Sequence, residues 1–394
     1  MAEKQKSKQI RADDSPMLRR VKQESRPGWL RIPRRGRIRM ALAAVGVVSV
    51  GMTIRGVVGG DAPGGSPKDA GGKHNESNRG DDSRSPAFRK KTLEREDVKD
   101  LLRSSPHRLR SAADTVREGD RPLVLHYSID TMLQRVGKSL LTRYHPKYGA
   151  IAALDPVSGR VLALVSYVNE GEPFLGRDLY CRSLFPAASL FKIIAAAGSV
   201  EYGKLRCGSK LKQVGRNHTL YKFQLEKDLA RYREVSLVKA FAYSINPVFG
   251  RLGIYVLGKD GLSRYADRFG FGNPIPFELD TDPARITIGD SAFALAELAS
   301  GFNQQTRISP LFAALAVSAI AEDGLIPRPS LVDSVTDPQS GKRLYRISSA
   351  TWRRAVEPHT AEEVKTMLRH VARYGTARKS FRYVKRTRLF GDME

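Results

Sequence analysis

The sequence is poor in cysteine, with only Cys181 and Cys207 among 394 residues. Two thiols are too few for a disulfide framework, and their spacing does not match a zinc site. In an exported domain they could pair with each other, but we favour the interpretation that they are two unpaired core residues. The chain also lacks a phosphate-binding Walker loop. We therefore predict neither a metal nor a cofactor.

Acidic residues are scarce as well, with 41 Asp and Glu against 67 Lys and Arg and a formal net charge of +26 at pH 7. Such an excess raises the question of nucleic-acid binding. Part of it lies in one terminal tail, and the basic runs are not interleaved with aromatic residues that could stack on bases. We predict no nucleic-acid partner. The basic run Arg369–Arg388 is interpreted as a solvated face or as a surface attracted to anionic polymers.

Long hydrophobic runs are almost absent, and one short run stands between strongly polar flanks. This run is MALAAVGVVSVGMTI, Met40–Ile54. A helix that spans a membrane needs about 20 apolar residues. Gly56–Val58 can extend the run to that length if Arg55 reaches out to the interface. We predict a single membrane-anchor helix at residues 40–58.

The charges around this run predict its orientation. Five arginines lie between Arg31 and Arg39, so the positive-inside rule places the N-terminus in the cytoplasm. Residues 1–39 are therefore predicted to be a basic cytoplasmic tail, and everything after the anchor lies outside. A cleaved signal peptide is disfavoured by the long polar region before the run, and a buried core helix by the polar flanks.

Residues 59–120 are predicted to be a flexible linker with one short helix. Their first part, Gly59–Pro86, contains seven glycines, many Ser, Asp and Asn residues, and few large apolar side chains. Further on, TLEREDVKDLL at Thr92–Leu102 has the spacing of a short amphipathic helix. Strand-like alternation starts at Pro122. We therefore predict that the folded domain occupies residues 121–394.

The clearest strand pattern is YGAIAALDPVSGRVLALVSY, Tyr148–Tyr167. Two apolar runs flank DPVSG, in which Pro and Gly stand at positions that a tight turn favours. We predict an antiparallel hairpin in the core of a sheet. The residues that follow are mostly helical in pattern. One helix is predicted to start at Ser309, because serine is a good N-cap and Pro310 fits the first helical position.

The stretch FPAASLFKIIAAAGSVEYG, Phe185–Gly203, is almost wholly apolar and predicts a buried helix. Ser189 and Lys192 are three positions apart, so they lie on one face of that helix near its first turn, where unpaired backbone N–H groups create a positive potential. A serine hydroxyl needs a base to become a nucleophile, and a buried lysine can have a pKa low enough to be that base. Ser189 and Lys192 are therefore a candidate nucleophile and base.

The same Ser-x-x-Lys spacing occurs twice more, at Ser209/Lys212 and Ser236/Lys239. Ser209 lies in a stretch of polar and glycine residues that predicts a surface loop. Ser236 could start a helix with its lysine on a solvated face. Only around Lys192 is the sequence so apolar that burying a lysine would be costly.

Ser244-Ile245-Asn246 supplies a candidate relay. A second hydroxyl could pass a proton from the lysine to a departing group, and an asparagine offers a donor and an acceptor to a peptide bond. Serine, asparagine and proline are also ordinary residues at the turn that ends a helix. Taken alone, the pattern favours the turn.

Taken in order, these motifs resemble the transpeptidase domain of penicillin-binding proteins, within the serine D,D-peptidase and β-lactamase-like family. The matching segments are YSIDTMLQ (Tyr127–Gln134), the hairpin AALDPVSGRVLALVS, PAASLFK, SINPVFGRLG, FGFG (Phe269–Gly272) and ISPLFAALAVSAIAEDG (Ile308–Gly324). The resemblance covers about residues 121–375. It implies an α+β fold with an antiparallel sheet flanked by helices and an all-helical subdomain, joined to the N-terminal membrane anchor.

The resemblance also implies an acyl-serine mechanism. Ser189 would attack the carbonyl between two terminal D-alanines of a peptidoglycan stem peptide, with Lys192 as the base. Ser244 would pass the proton to the leaving D-alanine, and Asn246 would bind the donor peptide. An amine of a neighbouring stem peptide would complete the cross-link, and β-lactams would acylate the same serine.

The place and partners implied by the resemblance are those of cell-wall synthesis. The chain would be a single-pass protein of the bacterial cytoplasmic membrane, with the catalytic domain outside. Its partners would be stem peptides, β-lactams as inhibitors, the membrane and other wall-synthesis proteins.

The family's third motif, Lys-Thr-Gly, is missing from the sequence. Tyr374–Ala377 resembles the approach to it, but RKSFRYVKRTRLFGDME follows, and Lys385-Arg386-Thr387 has the wrong order and no glycine. In the family this motif lies on a central strand, which would supply the second oxyanion N–H group. Loss of one oxyanion donor costs on the order of 10²–10³ in rate. We expect a chain truncated before the motif, with an incomplete and impaired domain. A genuine end at Glu394 would make this chain a defective or non-catalytic relative. D,D-Carboxypeptidase and serine β-lactamase activity remain alternatives, as does penicillin or stem-peptide binding without catalysis.

Overall fold

The computed structural model describes residues 92–104, 109, 111–173 and 178–381. The predicted tail at 1–39 and the predicted anchor at 40–58 lie outside these residues, as do most of the predicted linker and the basic end of the chain. Within the described ranges, no helix is both long and apolar enough to cross a membrane.

Helices and strands are mixed along the chain, which confirms an α+β fold. The α-helices are α1 Arg95–Ser104, α2 Thr131–Tyr144, α3 Phe191–Glu201, α4 Leu237–Ala242, α5 Asn246–Leu252, α6 Gly258–Arg268, α7 Ala292–Ser300, α8 Pro310–Ala321, α9 Pro358–Arg373 and α10 Arg378–Phe381. The strands are β1 Ala113–Glu118, β2 Arg121–Tyr127, β3 Tyr148–Leu154, β4 Val161–Val168, β5 Phe185–Pro186, β6 Lys210–Gln213, β7 Arg233–Ser236, β8 Arg307–Ile308, β9 Leu325–Pro327, β10 Val332–Thr336, β11 Arg343–Arg346 and β12 Thr351–Arg354. A π-helical stretch, Gly253–Leu257, joins α5 to α6.

The fold begins before the domain boundary predicted at residue 121. Strands β1 and β2 form an antiparallel hairpin that contains this residue. Ahead of the hairpin, α1 confirms the short helix predicted from Thr92 and buries three side chains in the main core: Val98, Leu101 and Leu102. The predicted boundary is wrong because β1, ADTVRE, buries only Val116, and a strand with one buried side chain gives almost no alternation in the sequence.

The largest sheet in the described part of the chain has four antiparallel strands in the order β1-β2-β10-β11. The strand predicted from Pro122 is β2, one of its two inner strands. Leu123 and Leu125 of β2 are fully buried, as expected for a strand with a neighbour on each side and an apolar face on the core.

The hairpin predicted at Tyr148–Tyr167 is confirmed as the antiparallel pair β3–β4. Its turn contains Gly159 at φ +74°, where a Cβ atom would overlap the carbonyl oxygen of Arg328, so only glycine fits. The prediction that the hairpin lies in the core of a sheet is wrong for the described residues, where β3 and β4 form a sheet of two strands and the residue just before β4 adds one isolated bridge, between Arg160 and Ser330. Helices α2 and α8 pack against the hairpin and cover its apolar side chains, with Gly137 of α2 close to Val165.

Helix α3 is the centre of the helical part of the fold. Every residue from Phe191 to Val200 is buried, as expected for a helix that is apolar on all faces. Helices α6, α7 and α9 pack around it. At its N-terminal end, the ring of Phe191 packs edge-on against Phe271, which in turn packs against Phe312, with centroids 5.8 and 4.8 Å apart. This packing fixes the start of α3, where the candidate nucleophile lies.

The two cysteines are unpaired. Cys181 is fully buried, and Cys207 is half-buried with its Sγ 3.3 Å from the carbonyl oxygen of Glu363. Burial raises the pKa of both thiols, that of Cys207 to about 12, so neither is a reactive thiolate at neutral pH. The interpretation as two unpaired residues is confirmed, and the alternative that they pair is wrong.

Candidate active site

Ser189 lies in the turn that leads into α3. Strand β5 pairs with β8, and a 3₁₀ turn, Ala188–Leu190, connects β5 to the helix. Ala188 has a left-handed backbone with φ of 46°, which costs a residue with a side chain roughly 1–2 kcal/mol. The turn exposes Ser189, whereas Lys192, one turn further along, is only 2% exposed. An accessible hydroxyl therefore lies next to a buried amine.

Lys192 is surrounded by three oxygen atoms. Its Nζ lies 3.1 Å from Ser189 Oγ, 2.8 Å from Asn246 Oδ1 and 2.5 Å from the carbonyl oxygen of Ser300. Burial lowers the pKa of this amine to about 7, because removal from water disfavours the charged form. A large fraction of Lys192 is therefore neutral at physiological pH and able to accept a proton.

The partners of Lys192 also decide the direction of its lone pair. A neutral amine has two N–H groups and one lone pair. The Asn246 and Ser300 oxygen atoms can only accept hydrogen bonds, so each takes one N–H group. The lone pair is left facing the Ser189 hydroxyl, which can rotate to donate to it. This is the arrangement of a general base and its nucleophile.

Ser244 lies in the short connection between α4 and α5 and has a left-handed backbone at φ 51°. Its Oγ is 2.9 Å from Ser189 Oγ, so a proton can pass between the two hydroxyls. Asn246 is the first residue of α5, and its backbone N–H donates to the carbonyl of Asn217 at 2.7 Å. Ser-x-Asn is therefore a turn between two helices, and this turn brings Ser244 next to Ser189, where a relay is geometrically possible.

The other two Ser-x-x-Lys pairs lie elsewhere. Ser209 is in the loop before β6, and Lys212 is exposed with its Nζ 4.6 Å from the ring centre of Tyr232. Ser236 precedes α4, and Lys239 is exposed. Both predictions are confirmed. Of the three pairs, only Ser189 and Lys192 share a site with Ser244 and Asn246.

Ser300, at the end of α7, is a partner of Lys192 that the sequence does not indicate. Its contribution is a backbone carbonyl, which every residue carries, so no residue type could identify it. The sequence signal nearby is Gly301 after an apolar helical run, which is typical of a helix C-terminus. The partners of Ser189 and Lys192 in the described part of the chain are hydroxyl, amide and backbone oxygens, and none is a carboxylate.

The segment that resembles the approach to the third motif packs beside the site. Gly375 lies against the carbonyl of Ala242 without room for a side chain, and the backbone N–H of Thr376 donates to the same carbonyl at 3.1 Å. Helix α10 follows, and no strand comes after α9 within the described residues. Lys385-Arg386-Thr387 lies outside the described residues.

The lowered pKa of Lys192 predicts the pH dependence of acylation. Only the neutral amine can take the proton from Ser189, so we expect the rate of acylation by a β-lactam to rise tenfold per pH unit below about 7. The rate then levels off above that pH. Stopped-flow measurements with a fluorescent penicillin between pH 5 and 9 test this. Lys212→Ala, which removes an exposed lysine of the same spacing, should leave the profile unchanged. A profile still rising at pH 9 would contradict the prediction.

Comparison with known proteins identifies the family of the chain. The model of the penicillin-binding protein transpeptidase domain matches residues 149–389. The chain is 29% identical over 278 residues to peptidoglycan D,D-transpeptidase PbpA of Mycobacterium tuberculosis H37Rv, covering 61% of this chain and 54% of PbpA. It is 25% identical over 279 residues to stage V sporulation protein D of Bacillus subtilis 168, covering 66% and 42%. The matches thus span about half the length of these relatives.

Solved structures share the fold. The D,D-transpeptidase domain of a peptidoglycan glycosyltransferase from Eggerthella lenta aligns with a TM-score of 0.52 and 27% identity, over 64% of this chain and 66% of that one. The penicillin G acyl-enzyme complex of penicillin-binding protein A from M. tuberculosis aligns with a TM-score of 0.51 and 26% identity, over 64% and 65%. The family match covers more than half of the chain, and the predicted resemblance is confirmed: this protein belongs to the penicillin-binding protein transpeptidase family.

Proposed function

We propose that the chain is a D,D-transpeptidase that cross-links peptidoglycan stem peptides through an acyl-enzyme on Ser189. The observation that carries this proposal is the continuous path from the buried amine of Lys192, through Ser189 Oγ at 3.1 Å, to Ser244 Oγ at 2.9 Å. In such a path the amine at one end activates the nucleophile in the middle, and the hydroxyl at the other end can donate a proton to a leaving group.

In the first half-reaction, Ser189 Oγ attacks the carbonyl carbon of the penultimate D-alanine and Lys192 takes the hydroxyl proton. The C–N bond to the terminal D-alanine breaks and an ester to Ser189 forms. The departing amine takes its proton from the Ser244 hydroxyl, and Ser244 takes in turn the proton that Lys192 accepted. In the second half-reaction, the amine of a neighbouring stem peptide attacks the ester. A new amide bond forms, and Ser189 recovers its proton by the reverse path.

Asn246 is suited to bind the donor peptide. Its Oδ1 accepts a hydrogen bond from Lys192 at 2.8 Å, which fixes the orientation of the amide plane. Within the described part of the chain Nδ2 makes no hydrogen bond, so it can donate to a backbone carbonyl of the stem peptide. One side chain would thereby orient both the base and the substrate.

Deacylation by water is the main alternative, and the site favours it less. Hydrolysis of an acyl-serine needs a base that activates a water molecule. Among the described residues, no carboxylate hydrogen-bonds Ser189 or Lys192. A long-lived acyl-enzyme that waits for an amine acceptor fits this arrangement better than a β-lactamase.

The proposed location comes from the sequence. The anchor predicted at residues 40–58 and the basic tail before it would hold the protein in the bacterial cytoplasmic membrane with the catalytic residues outside. Stem peptides lie on that side, and other wall-synthesis proteins are expected partners.

Product analysis tests the proposal. The full-length protein is incubated with a synthetic stem peptide ending in D-alanyl-D-alanine, with and without a peptide amine acceptor, and the products are identified by mass spectrometry. We expect release of D-alanine together with an acceptor-dependent cross-linked product. Hydrolysed donor as the sole product would indicate a carboxypeptidase. Fast turnover of penicillin would indicate a β-lactamase, and the absence of any covalent adduct would indicate a non-catalytic binder.

A further inference from the structure

The end of α7 meets the 3₁₀ turn Ala188–Leu190, the catalytic turn, through backbone atoms. Gly301 follows α7 with a left-handed backbone at φ 65° and donates its N–H to the carbonyl of Leu298 at 2.9 Å. The Ser300 hydroxyl, which is buried, donates to the carbonyl of Ala296 at 2.7 Å. The last turn of α7 is therefore closed by its own hydrogen bonds, and the Ser300 carbonyl has a fixed direction.

No side chain separates Gly301 from the peptide bond that precedes Ser189. A Cβ atom on Gly301 would overlap the carbonyl oxygen of Ala188 and lie 3.1 Å from the backbone nitrogen of Ser189. A peptide group cannot rotate away as a flexible side chain can, and packed interiors have little space to absorb the overlap. Any residue other than glycine would push α7 and the catalytic turn apart.

We propose that Gly301 is a positioning residue that holds the nucleophile and its base together through this backbone contact. The inference rests on the proposed function of the site. The close approach allows the Ser300 carbonyl to reach Lys192 Nζ at 2.5 Å. The same approach supports the strained Ala188 backbone that presents Ser189. One contact thus fixes the direction of the lone pair and the position of the hydroxyl.

The contact also closes the amine off from water. Burial is the single cause of the lowered pKa of Lys192, since no charged group contributes to it. The groups that face the amine are the Ser189 hydroxyl, the Asn246 amide, the Ser300 carbonyl and the ring of Phe249, whose centre is 5.7 Å from Nζ. Separation of α7 from the turn would admit water between them and raise the pKa toward the ordinary lysine value.

A glycine that merely ends a helix is the plainer explanation, because left-handed glycines commonly follow helices. The chain offers a matched control for it. Gly119, in the turn between β1 and β2, has a similar φ of 60°, and a Cβ atom there would meet nothing within 4 Å. Alanine at Gly119 therefore costs backbone strain alone, whereas alanine at Gly301 adds the collision with Ala188.

The experiment compares the full-length wild type with the Gly301→Ala and Gly119→Ala variants. Acylation by a fluorescent penicillin is resolved into the affinity of the non-covalent complex and the rate constant of bond formation. The pKa of Lys192 is measured by NMR of ¹³Cε-labelled lysine, assigned with Lys192→Arg. For Gly301→Ala we expect a rate constant at least ~10-fold lower, since small misplacements at a reacting centre are costly. We also expect a raised Lys192 pKa and little change in affinity, whereas Gly119→Ala should match the wild type.

A wild-type rate constant and an unchanged Lys192 pKa in Gly301→Ala would overturn the inference. Absence of acylation in the wild type would instead overturn the proposed function, and the pKa comparison would still decide the role of Gly301. If Gly301→Ala does not fold, Ser300→Ala takes its place, because it removes the hydroxyl that closes the last turn of α7 but keeps the carbonyl. We expect a smaller loss in the same direction, and wild-type values in Ser300→Ala would contradict the inference.

Discussion

Replacement of Ser189 by alanine is expected to abolish covalent labelling by a fluorescent penicillin, with a loss in the acylation rate on the order of 10⁴–10⁶. The reason is the absence of any substitute nucleophile in the right place. Ser244 Oγ is 2.9 Å from Ser189 Oγ, but its contact to Lys192 runs through the Ser189 hydroxyl in the observed hydrogen bonds. Removal of Ser189 therefore removes both the attacking atom and the link between base and relay.

The chain provides internal controls for this experiment. Ser209→Ala and Ser236→Ala remove serines with the same spacing to a lysine, and both should retain labelling at the wild-type rate. Ser236 makes no side-chain hydrogen bond at the start of α4, so its replacement should not disturb the fold. Labelling is measured by fluorescence on a denaturing gel, and the modified peptide is identified by mass spectrometry. A stable adduct on Ser189→Ala, or an adduct mapped to Ser209 or Ser236, would refute the assignment of the nucleophile.

Replacement of Arg95 by alanine is expected to lower the free energy of unfolding by about 3–5 kcal/mol. Arg95 projects from α1 to Glu278, with Nη2 3.2 Å from Oε2 and a Glu278 side chain that is 0% exposed. It also donates to the carbonyls of Pro276 at 3.0 Å and Pro329 at 2.5 Å. Removal of the guanidinium would leave a buried carboxylate without its counter-charge, which is costly in a low-dielectric interior.

The pH dependence of this defect follows from the pKa of Glu278. Burial raises the pKa of its carboxyl group, and Arg95 acts against that rise. Without Arg95 the pKa rises further. The variant can then relieve the buried charge by taking up a proton as the pH falls, so the loss of stability should be largest at neutral pH and smaller in acid. Urea unfolding of both proteins at pH 5 and pH 7.5 measures the difference.

Arg103→Ala is the matched control, since Arg103 lies on the same helix and pairs with the same segment of the chain. Its Nη2 is 2.8 Å from Asp280 Oδ1, but the two side chains are 53% and 68% exposed. Water screens such a pair, and its loss should cost no more than about 1 kcal/mol. Equal losses for the two variants would mean that α1 contributes through its apolar side chains alone, and that the buried ion pair adds nothing.

The local chemistry of the site could be predicted from the sequence because each residue type has a restricted use. A lysine within ten buried positions is costly, and that cost is what distinguishes Lys192 from the exposed Lys212 and Lys239. The hairpin around DPVSG could be predicted because Pro and Gly favour a tight turn. The helix after Ser309 could be predicted because serine is a good N-cap. The Ser309 hydroxyl accepts the backbone N–H of Phe312 at 3.1 Å, as an N-cap serine should.

Other features could not be predicted, because the sequence does not record which surfaces meet. Strand β1 has a single buried side chain, so the sequence of β1 has no periodic pattern and the predicted domain boundary at residue 121 falls too late. The Ser300 carbonyl cannot be identified from the sequence, because every residue carries a backbone carbonyl. The sequence also cannot distinguish a turn from a relay at Ser-x-Asn, since both uses require the same residue types.

The sequence by itself indicated the candidate nucleophile, its candidate base and the family, because an apolar run, a costly lysine and an ordered set of motifs are properties of residue types. Only the tertiary structure decided that Ser244 reaches Ser189, that Asn246 and Ser300 direct the lone pair of Lys192, and that Gly301 allows α7 to touch the catalytic turn. These depend on distances between segments as much as 112 residues apart, from Ser189 to Gly301. Such distances are set by the packing of helices around α3, which no local pattern specifies.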